Sequence, residues 1–104
     1  MERIAELHAL VAHEVAGYTQ GDPWKSRLIY LEDSQHQIYT VVVIPDLPRP
    51  FKARVVVMAR IVGDKVIIEE DTTNKPLCDE LLRVGIPREQ IVLVYEGETL
   101  PEDR

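Results

Sequence analysis

Within DKVIIEEDTTNKPLCDELLRVGIPREQIVLVY, residues 64–95, the spacing of apolar side chains changes period twice. Residues 65–70 read as a strand, with the β-branched run Val66-Ile67-Ile68 at its centre. From Pro76 the period is helical: Leu77, Leu81 and Val84 form one row, with Cys78 and Leu82 beside it. Pro76 suits a first helical turn, where its missing N–H costs nothing. Gly85 supplies a left-handed C-terminal cap, and Pro87 blocks continuation. Residues 91–95 are then almost continuously apolar, as in a strand buried on both faces. The strand-helix-strand unit either returns in parallel by a right-handed crossover or inserts elsewhere in the sheet.

Upstream, Gly63-Asp64 is a two-residue hairpin turn, because Gly takes the positive φ such turns need. It joins residues 65–70 to a strand over residues 52–62, centred on Val55-Val56-Val57-Met58. Pro45, Pro48 and Pro50 cannot donate to a ladder, so residues 45–50 form a loop. Two further strands, 27–32 and 37–44, flank the turn Asp33-Ser34-Gln35-His36. The first segment, residues 2–17, is an amphipathic helix: Ile4, Leu7, Val11 and Val15 recur at three- and four-residue spacing, and Leu10 widens the stripe. Gly17 and the following Tyr18-Thr19-Gln20-Gly21-Asp22-Pro23 end it. The order is α-β-β-β-β-α-β. It predicts an α+β two-layer sandwich, with a mixed, mostly antiparallel sheet and two helices on one face. One domain over residues 1–96 and a polar tail over 97–104 are expected.

A net charge of −6 opposes unaided wrapping of nucleic acid, which draws its affinity from a basic excess. The excess is confined to residues 61–104, with eleven acidic and five basic side chains against seven of each before them. Between Asp46 and Asp64 the only charges are Arg49, Lys52, Arg54 and Arg60, either a contact patch or the solvated face of a strand. Cys78 is the only cysteine, which rules out an intrachain disulfide and suits a reducing cytosol. The start of the chain does not read as a signal peptide, and no apolar run approaches a membrane span.

Residues 64–95 resemble the XisI-like family, the fdxN-element excision controlling factors, whose members carry a stretch of the type DGKIWIQQDGTE-x-GIA-x-ELV-x-xGVPKEDIVLGF. Lys65, Ile68, Asp71, Thr73, Glu80, Leu81, Gly85, Pro87, Ile91, Val92 and Leu93 match it without a gap. Several family side chains are replaced. Ile67 stands for a Trp, Met58 and Arg60 stand for a His and an Asp, and Val94-Tyr95 stands for Gly-Phe. A Gly-Trp before the third strand gives way to the Pro-rich loop. No His-based chemistry is therefore carried over. The resemblance implies a non-enzymatic accessory protein without a cofactor, paired with a XisH-like protein of nuclease-like fold in DNA element excision or related DNA processing.

Catalytic patterns are sparse. His8 and His13 are five residues apart on the first helix, which places them on different faces and both at the surface. Cys78, among apolar helix positions, reads as a small core residue. Glu69-Glu70-Asp71 ends a strand; strict alternation puts Glu69 and Asp71 on one face and Glu70 on the other. Asp71 and Thr73 are either turn and cap formers or contact residues. Trp24 and Tyr18 lie in a Gly/Pro-containing loop as candidate partner contacts; the alternative is that Trp24 folds back over the first helix as a lid on the core. The candidate partner-binding set is Trp24, Arg49, Lys52, Arg54, Arg60, Asp71 and Thr73. The edge of the third strand and the Pro-rich loop offer routes to a homo-oligomer. Direct nucleic-acid binding through residues 49–60 is the alternative to the accessory role.

Overall fold

In a computed structural model of the chain, residues 2–20, 25–46, 48 and 52–99 are described, with side chains from residue 5 onward. Helix α1 (Glu2–Ala16) continues into a 3-10 turn (Gly17–Thr19). Four strands follow, β1 (Ser26–Asp33), β2 (Ile38–Pro45), β3 (Arg54–Val62) and β4 (Lys65–Asp71); then come α2 (Leu77–Arg83) and β5 (Ile91–Leu93). The sheet order is β1-β2-β3-β4-β5, so every strand lies beside its neighbour in sequence. The first three pairings are antiparallel and β4–β5 is parallel, with α2 supplying the crossover that parallel neighbours need. This is the expected α+β arrangement, and of the two returns left open for the last strand the parallel one is realised.

Both helices pack on one face. Leu7, Val11 and Val15 from α1 and Leu77, Cys78 and Leu81 from α2 close over Tyr39, Val41, Val57, Ala59, Ile61, Val66 and Ile68. The other face carries a smaller cluster of Ile67 and Val92, flanked by Val62 and Val94. All three residues of β5 are buried, in keeping with a strand covered on both faces. The two-residue turn of the β3–β4 hairpin is confirmed: Val62 pairs with Lys65, and Gly63 has φ +61°. Gly85, at φ +102°, lets the Ile86 N–H turn back to the Leu81 carbonyl at 3.1 Å and closes α2. Pro76 sits just before α2 rather than inside it.

The third strand lies between β2 and β4, with both of its edges paired. It therefore has no edge to offer for self-association, contrary to expectation; the long outer edge belongs to β1. The last strand is also shorter than predicted. It stops at Leu93 because the chain turns through a 3-10 segment (Val94–Glu96), and the Glu98 carboxylate accepts the Leu93 N–H at 2.8 Å. Arg88 fastens the same corner, donating to the Ile91 carbonyl and to Glu98 at 2.7 Å each.

The Leu93 N–H, and after it Arg88, hold the Glu98 carboxyl below the usual range. A depressed folded-state value makes the charged form the stabilising one. Its contribution is present above the roughly 4.3 of a free glutamate and is lost as pH falls through the lower folded value. An NMR titration of the Glu98 side-chain carboxyl should therefore show a midpoint below about 4.3, and in Arg88→Ala that midpoint should rise. A Glu98 midpoint at or above the free value would remove this clasp from the account.

Candidate functional site

The segment between β4 and α2 must turn sharply, and α2 begins without a side-chain cap at Pro76. The missing cap comes from farther back. The Asp71 Oδ2 accepts the Leu77 N–H at 2.7 Å, six residues away. Its Oδ1 accepts the Thr73 N–H at 2.9 Å and the Thr73 hydroxyl at 2.7 Å. The Thr73 hydroxyl oxygen in turn accepts the Lys75 N–H at 3.3 Å. Both oxygens of Asp71 are thus committed to backbone and hydroxyl donors, as in a capping residue. Asp71 and Thr73 are brought together as turn and cap formers.

The same loop walls a cleft of about 310 Å³ beneath the C-terminal end of α1, lined by Glu14, Tyr18, Gln20, Thr73, Asn74, Lys75 and Glu80 among others. Tyr18 bridges it, its hydroxyl donating to the Lys75 carbonyl. Burial, and after it the nearby Asp71 carboxylate, pushes the Tyr18 phenol well above its ordinary range, so it stays a neutral donor. Glu80 is buried against the floor. Its Oε1 accepts from Arg83 at 2.7 Å and lies 4.0 Å from the Lys75 ammonium. Amide, hydroxyl, carboxylate and ammonium groups suit recognition of a polar segment, and no nucleophile-base pair is present among these lining residues.

In the sequence Tyr18 stands out only as a loop aromatic, and no contact of Glu80 is visible. The available signal was the i,i+3 spacing of Glu80 and Arg83 on a helix whose other inward positions are apolar.

The basic stretch is divided by a bulge. Val41 pairs with Val57 but Val42 pairs with Val55, leaving Val56 as an extra residue in β3. The Thr72 N–H and hydroxyl both donate to the Val56 carbonyl there, at 2.9 and 3.0 Å, and the Thr40 hydroxyl donates to Val57 at 2.7 Å. The even spacing of Arg54 and Arg60 would put them on one face of a regular strand. The extra residue puts Arg54 opposite Val43, toward the helices, and Arg60 opposite Ile38, on the open face. Arg60 is half-buried and donates to Glu69 at 2.5 Å. Lys52 and Arg54 are exposed. Trp24 and Arg49 lie outside the described residues.

A second bulge corrects the reading of the acidic strand end. Met58 pairs with Glu70 and Ala59 with Ile68, so Glu69 is the extra residue in β4. Glu69 turns to Arg60 on the open face, whereas Asp71 lies opposite Val57 on the helix face. They do not share a face, because the bulge interrupts the alternation on which that expectation stood. Among the described residues no three His, Cys, Asp or Glu side chains converge as metal ligands.

His13 is exposed, as expected, but His8 is not a surface residue: it is half-buried and hydrogen-bonded to the Tyr39 hydroxyl on β2. Cys78 belongs to the core, where burial raises its thiol. No helix among the described residues is long and apolar enough to cross a membrane.

A family model described as XisI protein matches residues 1–102. Two crystal structures from Anabaena variabilis ATCC 29413 share the fold. One, a XisI-like protein, is 22% identical with a TM-score of 0.78, over 96% of this chain and 91% of the other. The second, fdxN element excision controlling factor XisI, is 24% identical with a TM-score of 0.70, over 98% of this chain and 92% of the other. No curated protein matches the sequence.

Proposed function

We propose, from the premise that this chain belongs to the XisI family, that it is a non-catalytic accessory subunit. It works in the cytosol in complex with a XisH-like protein of nuclease-like fold, in excision of a DNA element or a related DNA-processing step. The observation that carries the non-catalytic part is the state of Asp71. The carboxylate best placed for metal chemistry holds the start of α2 with both oxygens and has no second carboxylate on its face of the strand end. The cleft beside it offers neutral and charged hydrogen-bonding groups on a corner tied by the Asp71 and Tyr18 hydrogen bonds, a surface for a partner's polar segment.

Direct DNA binding through the basic stretch is the weaker reading. Arg60 is engaged by Glu69, and Arg54 faces the other way.

The test is co-expression with a XisH-like protein, followed by size-exclusion chromatography at micromolar concentration. Co-elution is the expected result, weakened by Lys75→Glu at the cleft rim. Separate migration of the two proteins would sink the proposal. Magnesium-dependent nucleic-acid cleavage by this chain alone, lost in Asp71→Asn, would overturn the non-catalytic assignment.

A further inference from the structure

The outermost strand, β1, pairs with β2 over its whole length from Ser26 to Asp33 without a bulge. The phase of the ladder is fixed by two bonds, Asp46 N–H to the Lys25 carbonyl at 2.7 Å and Ile61 N–H to the Gln37 carbonyl at 3.0 Å. With that phase, Arg27, Ile29, Leu31 and Asp33 exchange backbone bonds with β2. Leu28, Tyr30 and Glu32 direct their N–H and C=O groups outward. Of the devices that keep edge strands from pairing, β1 lacks Pro, Lys and a bulge, and its charges, Arg27, Glu32 and Asp33, stand only toward its two ends. Leu31 on β1 and Ile44 on β2 are 50% and 38% exposed, and both lie on the open face beside this edge.

The order of side chains along β1 is self-complementary. A base stands near its start, Arg27; apolar residues fill the centre; acids stand at its end, Glu32 and Asp33. We infer that β1 is the dimerisation edge of this protein, two copies joining antiparallel about a two-fold axis at Tyr30 into one continuous sheet. In that register the outward groups of Tyr30 meet those of the second Tyr30, and Leu28 meets Glu32. On the open face Ile29 lies opposite Leu31 and Arg27 opposite Asp33, each pair occurring twice by symmetry. The register centred on Ile29 satisfies the same backbone phase but sets Arg27 opposite Leu31 and leaves Asp33 facing Lys25, which lies outside the strand at φ +51°; the first register pairs Arg27 with Asp33 within the two strands. Arg27 now faces Asp46 at 3.6 Å, with both side chains exposed, and Asp33 faces His36. In the pairing the guanidinium is shared between two carboxylates. The inference does not rest on the XisH-like partner.

The test combines sedimentation velocity with amide hydrogen exchange on the full chain, from low micromolar to several hundred micromolar. A concentration-dependent dimer is expected. In it the Leu28, Tyr30 and Glu32 amides should exchange at least about tenfold more slowly than in the monomer, while Ile29 and Leu31, already bonded to β2, change little. Glu32→Pro removes an outward N–H and leaves the β1–β2 ladder intact, so it should yield a folded monomer. Arg27→Asp should weaken the dimer about tenfold. Should Glu32→Pro fail to fold, the exchange pattern and Arg27→Asp decide. A wild-type monomer at every concentration would overturn the inference, as would a dimer that leaves those three amides unprotected.

Discussion

Asp71→Ala is expected to destabilise the fold by about 2–3 kcal/mol, the sum of a lost helix cap and of backbone donors left without a partner. The substitution removes the acceptors for the Thr73 N–H, the Thr73 hydroxyl and the Leu77 N–H together. For a domain of this size that is roughly 10–20 °C in Tm, read by thermal unfolding monitored by circular dichroism. Asp71→Asn keeps an acceptor oxygen in place and should recover about half of the loss. The two variants separate a cap from a contact residue: a contact residue would leave Tm unchanged and lower only partner binding. Equal Tm values for the wild type and Asp71→Ala would refute the capping role.

Leu81→Ala should cost more, roughly 2–5 kcal/mol, because the leucine is fully buried and the sites around it are held by three different elements. α2 has only seven residues, too short to persist alone, so its helicity depends on the side chains it buries. Leu77 and Leu81 anchor it, and removing one opens a cavity between α1, α2 and the sheet. Urea titration should show a lower midpoint with an unchanged slope if the rest of the sheet is intact. Leu82→Ala, on the same helix but 39% exposed, is the control and should shift the midpoint by a small fraction of that amount. Similar losses at the two positions would mean that α2 is packed on a different face.

Much of this architecture was legible because its causes are local. The change from period two to helical spacing after residue 75 placed α2, Gly63-Asp64 placed the hairpin, and Gly85 with Pro87 placed the end of the helix. The two bulges were not legible. Val56 and Glu69 sit in runs whose residue types suit a regular strand, and an extra residue is detectable only when two strands are laid side by side. Those bulges decide the site, since they send Arg54 and Arg60 to opposite faces and separate Glu69 from Asp71. The inward turn of His8 escaped for the same reason. Its partner, Tyr39, is 31 residues away, and nothing in the helix alone announces it.

The neighbour-by-neighbour order of the sheet also bears on how the chain folds. Each antiparallel strand meets a partner that has just preceded it in sequence, so a nascent chain can add them in turn with little loop-closure entropy to overcome. Only the last step is different. β5 is three residues long and joins β4 in parallel, after α2 has crossed the sheet, so the final edge waits on the helix. The Asp71 cap stands at the junction between a meander built from local pairings and a terminus that joins through a crossover. A weakness there is expected to slow completion of the molecule rather than its beginning.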